Sequence, residues 1–396
     1  MIAQASEAKR LARGAIPLAS TPNRARHTIL VVGPTPPPYH GVSVVTRNIL
    51  DSALADSLRI VHLDTADRRD LYNVGKVDLR NVWLALRHGA RFQYLMLREH
   101  PDLVHMPVAE STLGFLRDSL FLIPARLSGQ RVVVHIHGGS FGTFYKKARP
   151  LLQTLIRFCL KNVGRTVVLD EHFRGNLDGL VPSERIRVVP NGIPTAPYTA
   201  SQQDRSRSGG KTRILYMGTL VESKGFLDLL EAVPKVIALV PGVEFWLVGD
   251  NSLPEARLAE ERIRREGLDR QVKFLGIRYG QEKTQILLDA SIFVFPTWYP
   301  MEGQPLVLLE SMAAGLPIVT TRHAAIQQTL GENGALYVKP KSPDEIAEKV
   351  ITLINDPDLC RQIVQNNRKR LQQSHTLERF AATLKSVWQE ALTCPS

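Results

Sequence analysis

Cysteine is scarce. The 396 residues hold three, Cys159, Cys360 and Cys394, too scattered for a metal site or a disulfide framework. That usage fits a reducing cytoplasm. No uninterrupted apolar run approaches the roughly 18 residues of a membrane span. The N-terminus has no apolar stretch of the secretory kind, so export is not expected. Zinc-finger, RRM and KH signatures are missing, which leaves nucleic acid outside the expected partners. G-x-G-x-x-G and the Walker A pattern are missing too, which argues against a Rossmann dehydrogenase and an ATP-hydrolysing P-loop enzyme. The one D-x-D, Asp356 to Asp358, stands at a helix N-terminus, where capping accounts for it. No metal and no cofactor are therefore expected.

Acidic residues run short in one half only. Residues 1–200 hold 26 Lys and Arg against 15 Asp and Glu; residues 201–396 hold 24 against 23. Nearly all of the +12 net charge thus sits in the first half. A basic half points to an anionic partner, a phosphorylated substrate or a membrane surface, unless it is ordinary solvated surface. The length favours two domains.

What is present is a double series of buried strands and helices. Residues 1–26 read as a mobile basic tail, 27–195 as a first Rossmann-like domain, 196–210 as a polar linker, and 211–375 as a second domain. Residues 376–396 form a closing amphipathic helix, apolar at 377, 380, 381, 384, 387, 388 and 391. The first domain opens with the strand Thr28–Gly33, a Pro-rich loop holding His40 and Gly41, and a helix from about Val44. The charged loop Asp67–Asp78 is a candidate for the acceptor side. After the strand Arg131–Ile136 comes H-G-G-S-F-G, at the strand end where open α/β sheets bind ligands. Residues Tyr145–Asn162 read as one helix whose basic residues (Lys146, Lys147, Arg149, Arg157, Lys161) beside apolar ones (Leu151, Leu152, Leu155, Ile156, Phe158) suit a membrane surface. In the second domain Gly218–Gly225 precedes a helix over Phe226–Leu239.

The densest stretch is Ile292–Thr320. A buried strand leads into a Pro/Gly loop with Glu302 and Gly303, then Pro305 as first helical position, then a helix over Leu306–Met312 closed by Gly315. Glu310 lies about 7.5 Å along the axis from Pro305. A helix N-terminus favours anions, so two carboxylates flanking one suit a ligand that is sugar, then diphosphate, then ribose.

E-G-Q-P-L-V-L-L-E, followed by A-A-G-L-P-I-V, resembles the paired-glutamate signature of glycosyltransferase family 4 (group 1), retaining enzymes of the GT-B fold with nucleotide-sugar donors. The resemblance implies an α/β architecture of two Rossmann-like βαβ domains facing a central cleft, the last helix crossing back to the first domain. It implies catalytic roles for His137, Glu302 and Lys224. Lys224 would pair with the donor diphosphate, Glu302 would bind sugar hydroxyls, His137 would contact the sugar near C1, and Glu310 would bind the ribose. Gly41, Gly218, Thr219, Ile277, Gly303, Gln304, Pro305 and Leu306 would complete the donor site, with His40, Gly138 and Gly139 on the acceptor side. The chain departs from the family at Thr219, commonly arginine, and at Gln328, often glutamate. The implied activity is metal-independent, retaining transfer of a hexosyl group to a glycan or lipid-linked acceptor in cell-surface polysaccharide synthesis. The implied location is cytoplasmic, peripheral on the inner face of the membrane. A nucleotide-sugar epimerase, a phosphorylase and a non-catalytic sugar-nucleotide-binding partner are the alternatives.

Overall fold

The computed structural model describes residues 26–68, 79–161, 163–199 and 211–393. Residues 1–25 of the expected tail, 69–78 of the charged loop and 200–210 of the expected linker lie outside these.

The described residues build two six-stranded sheets, every pairing among them parallel. The first contains β1 (Thr28–Gly33), β2 (Arg59–Asp64), β3 (Leu103–Pro107), β4 (Val132–Ile136), β5 (Arg165–Val168) and β6 (Ile186–Val188), in the order β2-β1-β3-β4-β5-β6. The second contains β7 (Arg213–Met217), β8 (Glu244–Val248), β9 (Val272–Gly276), β10 (Ile292–Phe295), β11 (Ile318–Thr321) and β12 (Leu336–Val338), in the order β12-β11-β10-β7-β8-β9. Strands β1, β4, β10 and β11 are buried at every residue. Parallel sheets carry helices on both faces, which is why these strands read as continuous apolar runs rather than alternating ones. In each sheet the strand order reverses beside the first strand, and the crevice beyond the strand ends there is the usual ligand position.

Helix α1 (Gly41–Asp51) begins before the expected Val44, because His40 and Ser43 form a reciprocal capping box at its start. α2 (Leu79–Glu99) and α3 (Thr112–Leu127) follow. The single helix expected over Tyr145–Asn162 is two, α4 (Phe141–Lys147) and α5 (Pro150–Leu160). Pro150 has no N–H to continue the ladder, and Arg149 before it is extended at ψ 151°. In the second domain lie α6 (Phe226–Leu239), α7 (Pro254–Arg265), α8 (Gly280–Asp289), α9 (Leu306–Ala314), α10 (Pro343–Asn355) and α11 (Pro357–Arg370). Pro305 is the N-cap of α9, at φ −64°, ψ 120°, rather than its first helical residue. Asp356 caps α11 by accepting from Leu359 N at 2.9 Å, and Asp358 pairs with Arg361.

A five-residue π-helical turn, Leu371–His375, leads into α12 (Leu377–Thr393). This helix leaves the second domain and buries Phe380, Leu384, Val387 and Trp388 against Ile29, Val31, Leu103, Val133 and Val167 of the first sheet. Trp388 Nε1 donates to His105 Nδ1 at 3.1 Å, and Glu390 takes both Arg165 and Arg187. The two interdomain crossings run side by side. Ile193 N donates to His375 O at 3.0 Å, and Leu377 N donates to Ile193 O at 2.9 Å.

Candidate functional site

The loop carrying Lys224 follows β7 and the loop carrying Glu302 follows β10. Those strands are neighbours, with Ile292 beside Ile214, so distant loops emerge together. Trp298 N donates to Ser223 O at 2.8 Å and ties them. Gly225 turns the first loop at φ +81°; a Cβ there would lie 2.3 Å from Pro296 O, so glycine is required. Lys224 Nζ then meets Glu302 Oε2 at 2.8 Å, and the same oxygen accepts from Thr297 Oγ1 at 3.0 Å. The ammonium also sits 4.4 Å from the centre of the Tyr299 ring. Only 8% of the Glu302 side chain is exposed. A carboxylate so enclosed needs its cation.

Glu310 stands on α9. Its Oε1 accepts from Lys283 Nζ of α8 at 2.6 Å, while Oε2 is buried with no partner in the protein. Sequence reading missed α8, whose polar start, G-Q-E-K-T-Q, shows no apolar period, and so missed Lys283. At the start of α9, Pro305 provides no side-chain cap, leaving the first-turn N–H groups without a side-chain acceptor.

The first domain contributes the loop after β4. A Cβ on Gly139 would lie 2.3 Å from Glu302 O, and one on Gly303 would lie 2.0 Å from His137 O. The two loops therefore touch backbone to backbone across the cleft, at glycines. The His137 ring stacks on His135 at 3.9 Å, and burial holds its imidazolium down, to about 3, with His40 adding to the effect. His105, edge-on to His135, is likewise held to about 3 by burial. These imidazoles are neutral. Glu110, which the sequence did not single out, fixes the loop: its Oε2 accepts from Ser140 N at 2.9 Å and Ser140 Oγ at 2.7 Å. Burial pushes its carboxyl above the ordinary value. A Cβ on Gly138 would strike this carboxylate at 2.5 Å.

Other candidates fall differently. His40 spends Nδ1 on Ser43 N as a helix cap. Burial lowers its pKa, and Arg117 adds to this. Gly41, first residue of α1, has open space where a side chain would stand. The side chain of Gln304 is not free for a donor: its Oε1 accepts from Asn191 N at 2.6 Å and its Nε2 donates to Thr329 Oγ1 at 2.9 Å. It is a clamp between the domains, leaving any donor contact there to its main chain. Leu306 packs partly against the α12 cluster. Thr219 is exposed beside Gly218, and its carbonyl accepts from Tyr216 Oη at 3.0 Å. Gln328 is exposed, its carbonyl accepting from Arg370. Ile277 is exposed too, and two residues on Tyr279 stacks on Tyr39 with ring centres 4.0 Å apart. That stack joins the loop after β1 to the loop after β9 across the cleft.

Concavities among the described residues include two that bear on where the site lies. One of about 820 Å³, with Arg157, Arg174 and Arg185 in its wall, is lined only by the first domain and includes none of these residues. The other, about 300 Å³, lies between Glu110, Ser140, Thr143 and Lys147 of the first domain and Pro300 and Met301 of the second, beside the catalytic candidates. Among the described residues no group of three His, Cys, Asp or Glu is arranged to hold a metal ion.

Two family models match, "Glycosyltransferase Family 4" over residues 18–197 and "Glycosyl transferases group 1" over 211–356. An uncharacterised glycosyltransferase of Methanocaldococcus jannaschii is 26% identical over 221 residues, 53% of this chain and 55% of that protein. One subunit of the phosphatidylinositol N-acetylglucosaminyltransferase of Arabidopsis thaliana is 25% identical over 305 residues, 76% of this chain and 64% of that one. The chain thus spans between about half and two thirds of these relatives. Among solved structures, Anabaena HepE in complex with UDP superposes with a TM-score of 0.69 at 16% identity, over 91% of this chain and 99% of that one. At such identity the likeness concerns the fold.

Proposed function

The chain belongs to the glycosyltransferases of family 4, group 1, and from that premise we propose that it moves a hexosyl group from a nucleoside-diphosphate sugar to a glycan or lipid-linked acceptor with retention at C1. One observation carries the proposal. Lys224 and Glu302 meet at the uncapped N-terminus of α9, one helix turn or two from a buried, unpartnered oxygen of Glu310. A diphosphate fits the cation and the helix N-terminus. A ribose hydroxyl would give Glu310 Oε2 its missing donor, and sugar hydroxyls would reach Glu302. The UDP bound by the HepE relative of the same fold supports a nucleotide ligand.

In the proposed reaction the C1–O bond of the donor breaks, and its electron pair leaves with the diphosphate. The acceptor hydroxyl bonds to C1 on the same face and passes its proton to the departing oxygen. Lys224, with three N–H donors, keeps one on Glu302 and offers others to the developing charge. His137 acts as a neutral ring against the sugar, since its imidazolium is suppressed. No metal enters the proposal: Asp356 and Asp358 are committed to a helix cap and to Arg361. Activity in EDTA is the expected result, and loss restored by manganese or magnesium would count against it.

The lipid-linked acceptor, the inner membrane face and a role in surface polysaccharide synthesis belong to the same proposal. The basic first half and the phosphatidylinositol-directed name of the Arabidopsis relative support them. A panel of nucleotide sugars, assayed for binding and for release of nucleoside diphosphate, tests the core of it. One donor should bind and turn over slowly without acceptor, and NMR should show the anomeric configuration kept in the transfer product. Binding without turnover of any donor or acceptor would instead favour a non-catalytic partner, the reading to which Thr219 and Gln328 lend weight.

A further inference from the structure

Sixteen large apolar side chains are well exposed among the described residues, and ten of them lie on three helices, α2, α3 and α5, that pack side by side on the first domain. On α2, Trp83, Leu86, Tyr94 and Leu97 fall within one narrow stripe at about 100° per residue. Phe92 and Leu95, on the opposite side, supply the contact with the core. Leu113, Leu116 and Leu127 form a second stripe on α3, and Leu151 with Phe158 a third on α5. Gly89 of α2 faces Leu120 of α3, where a Cβ would lie 3.8 Å away, so the two helices pack closely beneath their stripes. Leu97 is 75% exposed and Leu151 87%, values at odds with single stray apolar residues at a solvated edge.

The charge on this face has one sign. Arg80, Arg87, Arg91 and Arg98 form a row on α2 beside its apolar stripe. The only acid on α2, Glu99, is taken by Arg59 at 2.5 Å and Arg98 at 3.2 Å; the only one on α3, Asp118, is buried and taken by Arg117 at 2.7 Å. α5 has none. No helix among the described residues is long and apolar enough to cross a membrane.

We propose that α2, α3 and α5 together are a docking surface for an anionic phospholipid leaflet, the apolar stripes entering the acyl boundary and the arginine row meeting lipid phosphates. Of the apolar residues on the helix expected over Tyr145–Asn162, Leu152 and Ile156 belong to the core, while Leu151 and Phe158 stand on this surface. Trp and Tyr favour the headgroup level, which suits Trp83 and Tyr94. A second copy of the chain fits worse, since a two-fold contact would set arginine row against arginine row. α3 starts at Thr112, which with Lys147 lines the cleft pocket opposite Met301, so docking turns the cleft mouth toward the leaflet. Docking rests on the transferase reading for its purpose, not for its occurrence.

Trp83 is the one tryptophan of four in the exposed set, so its fluorescence reports on this face. The full chain is mixed with vesicles of brominated phosphatidylglycerol or brominated phosphatidylcholine. Binding and quenching are expected with the first at low salt, with release at high salt and little binding to the second. Trp83→Phe should bind but lose most of the quenching. Arg80→Gln, Arg87→Gln and Arg91→Gln combined should weaken partition on the order of 100-fold. Leu86→Ser with Leu97→Ser should reduce quenching and binding together. Equal binding to both lipids, binding without Trp83 quenching, or a solution dimer dissolved by Leu97→Glu would overturn the proposal. Donor hydrolysis is followed in the same samples. Its absence from the wild type would sink the transferase reading and leave docking standing, whereas its retention by the arginine variants alongside lost binding confines the defect to the surface.

Discussion

Lys224 and Glu302 are 78 positions apart in the chain, and their charged atoms are 2.8 Å apart. The neighbouring positions of β7 and β10 bring this about, and the pair ties the expected phosphate cation to the expected sugar-binding carboxylate before any ligand arrives. In the proposed reaction the donor diphosphate would share that ammonium, so the two side chains are expected to act as a unit.

We predict that Lys224→Ala lowers turnover by at least about 10²–10³. It should also cost about 1.5–3 kcal/mol of stability, since Glu302 is left enclosed with one fewer partner. Adding Glu302→Gln should return much of the stability and none of the activity. Urea titrations and turnover on the single and double variants check both halves; additive stability losses would mean the pair is not coupled.

Gly303→Ala should be damaging out of proportion to its size. Its methyl would have to occupy space 2.0 Å from His137 O, main chain that cannot swing aside. The expected outcome is a folded protein with a wider cleft, seen as an increased radius of gyration in solution scattering, and activity lowered by an order of magnitude or more. Wild-type activity would show that the loops do not close on each other in the working enzyme.

Tyr39→Ala removes the aromatic stack that joins the domains at the cleft rim. An aromatic pair contributes about 0.5–1.5 kcal/mol, so kcat/KM should fall about two- to ten-fold, with Tyr39→Phe close to wild type. An equal loss in the phenylalanine variant would point to the hydroxyl and away from stacking.

Stability should fall in acid from an identifiable source. Burial holds His105 and His137 to about 3, below the ordinary 6.5, and holds His135 well below it. The unfolded chain therefore takes up protons that the folded chain refuses. The contribution is complete above pH 6.5 and declines as pH falls from there toward 3, by up to about 1.4 kcal/mol per pH unit for each imidazole. His135 has no hydrogen-bond partner on either ring nitrogen. His135→Phe should keep the stack and flatten the slope of urea stability between pH 7 and pH 5; an unchanged slope would place the titration elsewhere.

Much of the architecture was legible because buried parallel strands announce themselves as apolar runs. Ile292–Phe295 and the helix Phe226–Leu239 lie where the sequence put them. Boundaries failed where one residue overrules a periodicity, as Pro150 does inside 145–161. At the site, the sequence indicated Lys224, Glu302 and His137 singly but not their pairing, which depends on strand order. Nothing in Gln304 as a residue reveals that Asn191 and Thr329 occupy its amide. Glu110 and Lys283 act through contacts 27 to 30 residues away, on elements whose positions only the fold defines.

The crossing of α12 has a consequence for synthesis. One face of the first sheet, around Ile29, Leu103 and Val167, is covered by Phe380, Leu384 and Trp388. Translation reaches Val189 long before it reaches Leu377. At roughly 5–20 residues per second, the ribosome holds a nearly complete first domain with that face bare for roughly 10–40 seconds. During that interval the nascent chain exposes an apolar sheet face that α12 later covers, so native yield should rise when that face is shielded from other polypeptides until α12 emerges.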